Sequence, residues 1–135
     1  MAVRIDLTLD CARPTELAEF WKLALGYEDE PPPAPFTTRK EWARHVDSDG
    51  DDDGAWLHDP TCVGPRLSLL QVPEPKTAKN RLHIDVRVSR DADDRWQAIR
   101  DTVDRLVAAG GSVVAEFPEH HVVMADPEGS EFCVA

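Results

Sequence analysis

The chain has 135 residues, a formal net charge of −11 and a calculated pI of about 4.7, with 41% hydrophobic and 30% charged residues. That length suits one globular domain with a sizeable core, residues 1–135, and is too short for two independent cores. The acidity excludes a nucleic-acid partner, because the basic footprint is limited to Lys76, Lys79 and Arg81. No apolar run approaches the ~18 residues of a membrane span and the N-terminus has no signal-peptide pattern, so no membrane partner and a cytoplasmic location are expected. Three cysteines, Cys11, Cys62 and Cys133, cannot make a full disulfide framework, which agrees with a reducing compartment.

Residues Val3 to Cys11 alternate polar and apolar and predict a first strand. Pro14 suits the first position of a helix, and Leu17, Phe20, Trp21 and Ala24 follow at helical spacing until Gly26. The aromatic pair is expected to pack on a sheet. After Tyr27 the periodicity stops, and Pro31-Pro32-Pro33-Ala34-Pro35 favours a stiff, extended connection. Residues Thr37 to Val46 suit a short helix with Trp42 and Val46 on one side. The acidic stretch from Asp47 to Gly54 reads as a turn. Low apolar content predicts that residues 28–54 are the least ordered part. Strands are expected over Ala55–Asp59 and Arg66–Val72.

The stretch Lys79 to Val88 then repeats the opening pattern, with Leu82, Ile84, Val86 and Val88 on one face and His83, Asp85 and Arg87 on the other. Trp96, Ile99, Val103, Leu106 and Val107 form an amphipathic helix that starts at Asp91, Asp93 and Asp94 and ends at Gly110-Gly111. Three short strands follow, Ser112–Glu116, His121–Asp126 and Glu131–Val134. Asp126-Pro127-Glu128-Gly129 is the turn between the last two. The two halves therefore share one plan, strand, helix and three strands. Arg4 matches Arg81, Asp6 matches His83, and Asp59-Pro60 matches Asp126-Pro127. The expected fold class is α+β, two βαβββ modules (about 1–76 and about 79–135) with concave faces forming a shared cleft.

The residues Leu17-Ala18-Glu19-Phe20-Trp21 with Leu25-Gly26-Tyr27, Val72-Pro73-Glu74-Pro75-Lys76 with Lys79-Asn80-Arg81-Leu82-His83, and Asp126-Pro127-Glu128-Gly129-Ser130-Glu131-Phe132-Cys133 carry a resemblance. The chain resembles the vicinal oxygen chelate superfamily of glyoxalase I, ring-cleaving dioxygenases and bleomycin-resistance proteins, and within it the small glyoxalase-like proteins. The match omits about residues 30–54. The resemblance implies a homodimer and a site between the modules. In such proteins a metal is held by side chains of the first and last strands of each half, usually His or Gln, Glu, His and Glu. Carried over by motif, these positions fall on Asp6, Gln71, His83 and Cys133, and a one-residue slip would exchange Gln71 for Leu70 or Val72.

Only His83 matches the usual ligand type, so no hard divalent cofactor such as Mg²⁺ or Mn²⁺ is expected. The alternative is a Zn²⁺ set of Asp6, His83 and Cys133. Without metal, His83 beside Asp6 is either a proton carrier or a hydrogen-bonding group for a ligand. Trp56 and His58 share one strand face, and His121 takes the equivalent face of the second half. They line the cleft or lie exposed at an edge. His120-His121 is a poor metal pair, because adjacent strand residues point to opposite faces.

Asp49-Gly50-Asp51-Asp52-Asp53-Gly54 matches half a calcium loop, but position twelve is Pro60 instead of Glu, so an acidic turn is expected. These features predict a protein that binds a small organic molecule in the cleft, with Asp6, Trp56, His58, Gln71, His83, His121 and Cys133 as pocket residues. The alternative is an enzyme, a lyase, isomerase or dioxygenase, using His83 as metal ligand or proton carrier. Glyoxalase I activity is expected to be absent, since Cys133 stands where that enzyme has its carboxylate base.

Overall fold

The structure is a computed structural model that describes residues 1–45 and 54–135. The acidic turn, the calcium-type loop and Val46 thus lie, wholly or mostly, outside the described residues. The first half contains β1 (Leu7–Cys11), α1 (Pro14–Leu25), β2 (Glu28–Asp29), α2 (Arg39–His45), β3 (Gly54–His58) and β4 (Leu67–Gln71). The second contains β5 (Asp85–Val86), α3 (Arg95–Ala108), β6 (Ser112–Phe117), β7 (His121–Ala125) and β8 (Glu131–Val134).

Each half folds its strands into a four-stranded sheet with the same neighbour order, β1-β4-β3-β2 and β5-β8-β7-β6. In both, the first strand runs parallel to the last, as Leu7↔Leu67 and Asp85↔Cys133, and the hairpin pairs are antiparallel. The repeat read in the sequence is thus a repeat of topology. Ladder pairing is shorter than the alternation suggests, with β1 starting at Leu7 and β5 reduced to Asp85–Val86. β2 is an added edge strand where the sequence pattern had stopped. It is defined by Glu28↔His58 and Asp29↔Leu57. The short helix around Trp42 is present as α2.

Alternation decides which face of each sheet carries the helices. Leu57, Leu67, Leu69, Val122, Met124, Phe132 and Val134 are buried in one core with Leu17, Phe20 and Trp21 of α1 and Ile99 and Leu106 of α3. Each such side chain contributes roughly 1.5–3 kcal/mol when fully buried. The two halves share this core. Phe132 of β8 meets Phe20 and Trp21 edge-on, at 5.8 and 5.0 Å between ring centroids. The opposite face of β1, with Thr8 and Asp10, is left to line a cavity.

Helix α1 ends as its sequence predicts, on Gly26 at φ 68°, a left-handed conformation that glycine adopts without a Cβ clash. Its start is less ordinary. The N-cap Arg13 has no side-chain cap of its own. Glu128, from the turn before β8, accepts from Ala12 N at 2.6 Å and Arg13 N at 3.0 Å. A carboxylate at that end also complements the positive pole of the helix. The second half therefore caps the first helix of the first half.

Candidate functional site

A cavity of about 1180 Å³ opens between the two halves. β1 and the residues flanking it supply Asp6, Thr8, Asp10 and Arg13, and β4 with its continuation supplies Leu70 and Val72. The connection between the halves contributes Lys76, Asn80, Arg81 and His83, and the final turn and strand Glu128 and Glu131. Its wall is mixed, with apolar Leu70, Leu82 and Ile84 beside charges of both signs. Such a wall suits a ligand with an apolar body and polar substituents.

Asp6 and His83 both face this cavity, the placement their matching repeat positions predict. Their settings differ. Asp6 stands between two guanidinium groups, with Arg4 Nε at 3.6 Å and Arg66 Nη1 at 3.8 Å. His83 Nδ1 lies 3.8 Å from Cys133 Sγ. The carboxylate grouped with this pair is Asp85. The ligand atoms of His83, Asp85 and Cys133 all lie within 4.8 Å of one another, and Asp6 stands outside the group.

Strand geometry explains the grouping. His83 and Asp85 are two residues apart and share a face, and Asp85 is the ladder partner of Cys133. Burial, reinforced by the Asp85 carboxylate, pushes the Cys133 thiol above its ordinary value. Asp85 had a sequence signal, its period-two relation to His83. The motif comparison did not select it because it was confined to the four usual ligand positions.

The remaining expected pocket residues are dispersed. Gln71 is exposed and does not line the cavity; its Nε2 donates to Ala12 O at 3.2 Å, while Leu70 and Val72 line the wall. The one-residue alternatives therefore occupy the place considered for Gln71, whose side chain is turned to the Ala12 carbonyl. Trp56 shares a sheet face with Ser68, but Arg39 lies over its ring at 4.7 Å, and it lines a separate cavity of about 450 Å³ with Glu30 and Pro31. His58 Nε2 pairs with Glu28 Oε1 across the β2–β3 ladder at 3.1 Å.

His121 stacks on Phe117 with ring centroids 4.6 Å apart. The expectation that His120 and His121 point apart is corrected. β7 begins only at His121, His120 belongs to the preceding turn, and their Nδ1 atoms stand 2.5 Å apart.

Two carboxylates missed in the sequence hold the cavity's frame. Glu131 accepts from Asn80 N at 3.0 Å and pairs with Lys76 Nζ at 3.2 Å, bonds that hold its carboxyl down at about 2. Asp126 is buried at 3% exposure and receives Trp21 Nε1 at 3.1 Å along with the N–H groups of Glu128 and Ser130. Burial outweighs those donors and raises its carboxyl above the ordinary range.

This pair of α+β modules, with first and last strands parallel in each sheet and a cavity between them, defines the two-module vicinal oxygen chelate fold. The model of the glyoxalase-like domain family matches residues 6–135, and the chain belongs to that family. No curated protein sequence matches it.

Solved structures share the fold at low identity. The hypothetical protein SA1046 from S. aureus is 16% identical with a TM-score of 0.63, over 99% of this chain and 96% of that one. A glyoxalase/bleomycin resistance protein/dioxygenase family enzyme from Burkholderia phytofirmans PsJN is 12% identical with a TM-score of 0.66, over 98% and 97%. A mutant of the genomically encoded fosfomycin resistance protein FosX from Listeria monocytogenes, solved with Mn(II) and 1S,2S-dihydroxypropylphosphonic acid, is 10% identical with a TM-score of 0.64, over 99% and 89%.

A hard divalent ion of the kind that fold implies does not fit the residues present. Leu70 and Val72 offer no donor on the first half's last strand, Asp6 is engaged by two arginines, and Cys133 presents sulfur in place of a carboxylate.

Proposed function

We propose that this chain binds a small organic molecule in the cavity between its modules, without the hard-ion site usual in the family. The observation that carries the reading is the wall itself. A volume of about 1180 Å³ combines exposed leucines, Leu70 and Leu82, with Asp10, Arg81 and His83. Size and mixed polarity are those of a small-molecule site. The neighbouring FosX was solved with a phosphonic acid, which makes small anionic organic molecules reasonable first probes. Glyoxalase I turnover is not part of this reading; a homodimer belongs to it as a family expectation and a cytoplasmic setting as an expectation from the sequence.

The test is calorimetric titration with fosfomycin, its diol and the apolar anionic dye 8-anilinonaphthalene-1-sulfonate, with a chelator present throughout. At least one probe is expected to bind at one equivalent and to lose roughly tenfold or more in affinity in both Leu70→Asp and Arg81→Ala, since each tenfold corresponds to about 1.4 kcal/mol. No binding by any probe, or binding unchanged in both variants, overturns the reading.

A second reading rests on the His83–Asp85–Cys133 group. An imidazole in reach of a thiol and a carboxylate can move a proton on a bound substrate, which would make the protein an enzyme of the lyase or isomerase kind.

A further inference from the structure

The charges that line the cavity divide into those the fold has already used and those it leaves over. Asp6 is held by Arg4 and Arg66, and Glu131 by Lys76 and the Asn80 N–H. Glu128 caps α1, and Arg13 pairs with Glu16 at 3.6 Å. Asp10, Glu74 and Arg81 also line the wall, and none of these three side chains has a hydrogen-bond or ion-pair partner among the described residues. We infer that the cavity takes a zwitterionic small molecule, an amine and a carboxylate on an apolar body, with its ammonium on Asp10 and its carboxylate on Arg81. The inference rests on the proposed binding function and adds the charge pattern of the ligand.

Backbone register builds the first anchor. Asp10 and Leu70 are Cα partners in the parallel β1–β4 ladder, and both side chains line the cavity. Thr8 shares the face of Asp10, two residues earlier on β1, and its hydroxyl adds a second acceptor for an ammonium group. A carboxylate beside a leucine that is 46% exposed suits an ammonium carried on hydrocarbon, since the body covers the leucine while the charge meets the acid. Arg81 and Leu82 repeat the combination with opposite charge on the second module, where Leu82 is 75% exposed. The guanidinium presents paired N–H donors that match both oxygens of a carboxylate. Glu74, on the connection after β4, leaves two unpaired carboxylates against one unpaired guanidinium. An acid without an amine therefore meets Arg81 but is opposed by Asp10 and Glu74, and the ammonium turns that opposition into attraction.

The experiment is calorimetric titration at low ionic strength, where exposed charges are least screened, with two matched probe sets. Phenylalanine is compared with phenethylamine and phenylpropanoate, and para-aminomethylbenzoate with benzylamine and para-methylbenzoate. At least one zwitterion is expected to bind at one equivalent and about tenfold or more tighter than both of its single-charge analogues, the worth of one charge-assisted hydrogen bond. Asp10→Asn is expected to remove the preference for the zwitterion over the acid alone, and Arg81→Gln the preference over the amine alone. Both positions are exposed, and each variant retains the other's preference, which serves as its control for folding. No zwitterion binding, no preference over the single-charge analogues, or a preference unchanged in either variant overturns the inference. If the zwitterions fail while a probe of the proposed function binds, this inference alone falls; if every probe fails, both fall.

Discussion

At the scale of single residues, the site is set as much by what strand parity excludes as by what it includes. Leu70 faces the cavity and Gln71 does not, a difference of one residue that moves a side chain to the other face. The motif comparison selected Gln71, where the cavity is lined by Leu70 and Val72 instead, since register within β4 depends on pairing with β1. It also had no reason to include Asp85, whose closeness to Cys133 follows from a ladder pairing across 48 positions. A further residue constraint lies at Gly111. A Cβ there would stand 3.0 Å from both Leu106 O and Phe20 Cε2, where α3 turns down onto the core. Gly111→Ala is therefore expected to destabilise the protein by about 1–3 kcal/mol, as overpacking does, read as a lower midpoint in urea unfolding.

At the scale of elements, the helices and the hairpin of the second half were legible because their periodicity is carried by apolar residues at fixed spacing. Ile99, Val103 and Leu106 on α3, and Val122 and Met124 on β7, are buried as their patterns require. The strand ends were less so. Residues 82–88 alternate cleanly, yet only Asp85–Val86 are paired in the ladder. Alternation matches burial only toward the end of this stretch, where Val86 is buried and Leu82 is exposed at the cavity, and pairing length depends on the partner strand. β2 is two residues of acidic sequence, Glu28-Asp29, that pair because β3 presents a free edge there.

The contact between elements with the clearest test is the cap of α1 by Glu128. Glu128→Ala leaves the Ala12 and Arg13 N–H groups without their carboxylate and is expected to cost about 0.5–2 kcal/mol. Hydrogen exchange at the first turn of α1 should speed up in that variant, although the substitution lies in the other half of the chain. Unchanged exchange there would show that the cap does not couple the halves.

At the scale of the whole molecule, the connection between the modules is held by ionised carboxylates, and this gives stability a pH dependence of defined sign. Glu131, which fixes Asn80 and Lys76 of the connection, has its carboxyl lowered from 4.5 to about 2. Asp59 accepts from Thr61, Val63 and Gly64 in the loop before β4 and is lowered from 3.8 to about 2. A carboxyl whose value is depressed by folding stabilises the fold when ionised. The contribution is complete above the unfolded values near 4.5 and 3.8 and is lost as pH falls toward about 2. Asp126 opposes them, because its raised carboxyl makes the folded state favour protonation, so this group's contribution improves as pH falls. Two depressed groups against one raised group predict a net loss on acidification through that window. Urea unfolding followed from pH 6 to pH 2.5 should show the midpoint falling most steeply below about pH 4.5, with a shallower fall in Glu131→Gln, which retains acceptor capacity but cannot ionise. An identical pH profile in Glu131→Gln and the parent would remove Glu131 as the acid-sensitive clasp between the modules.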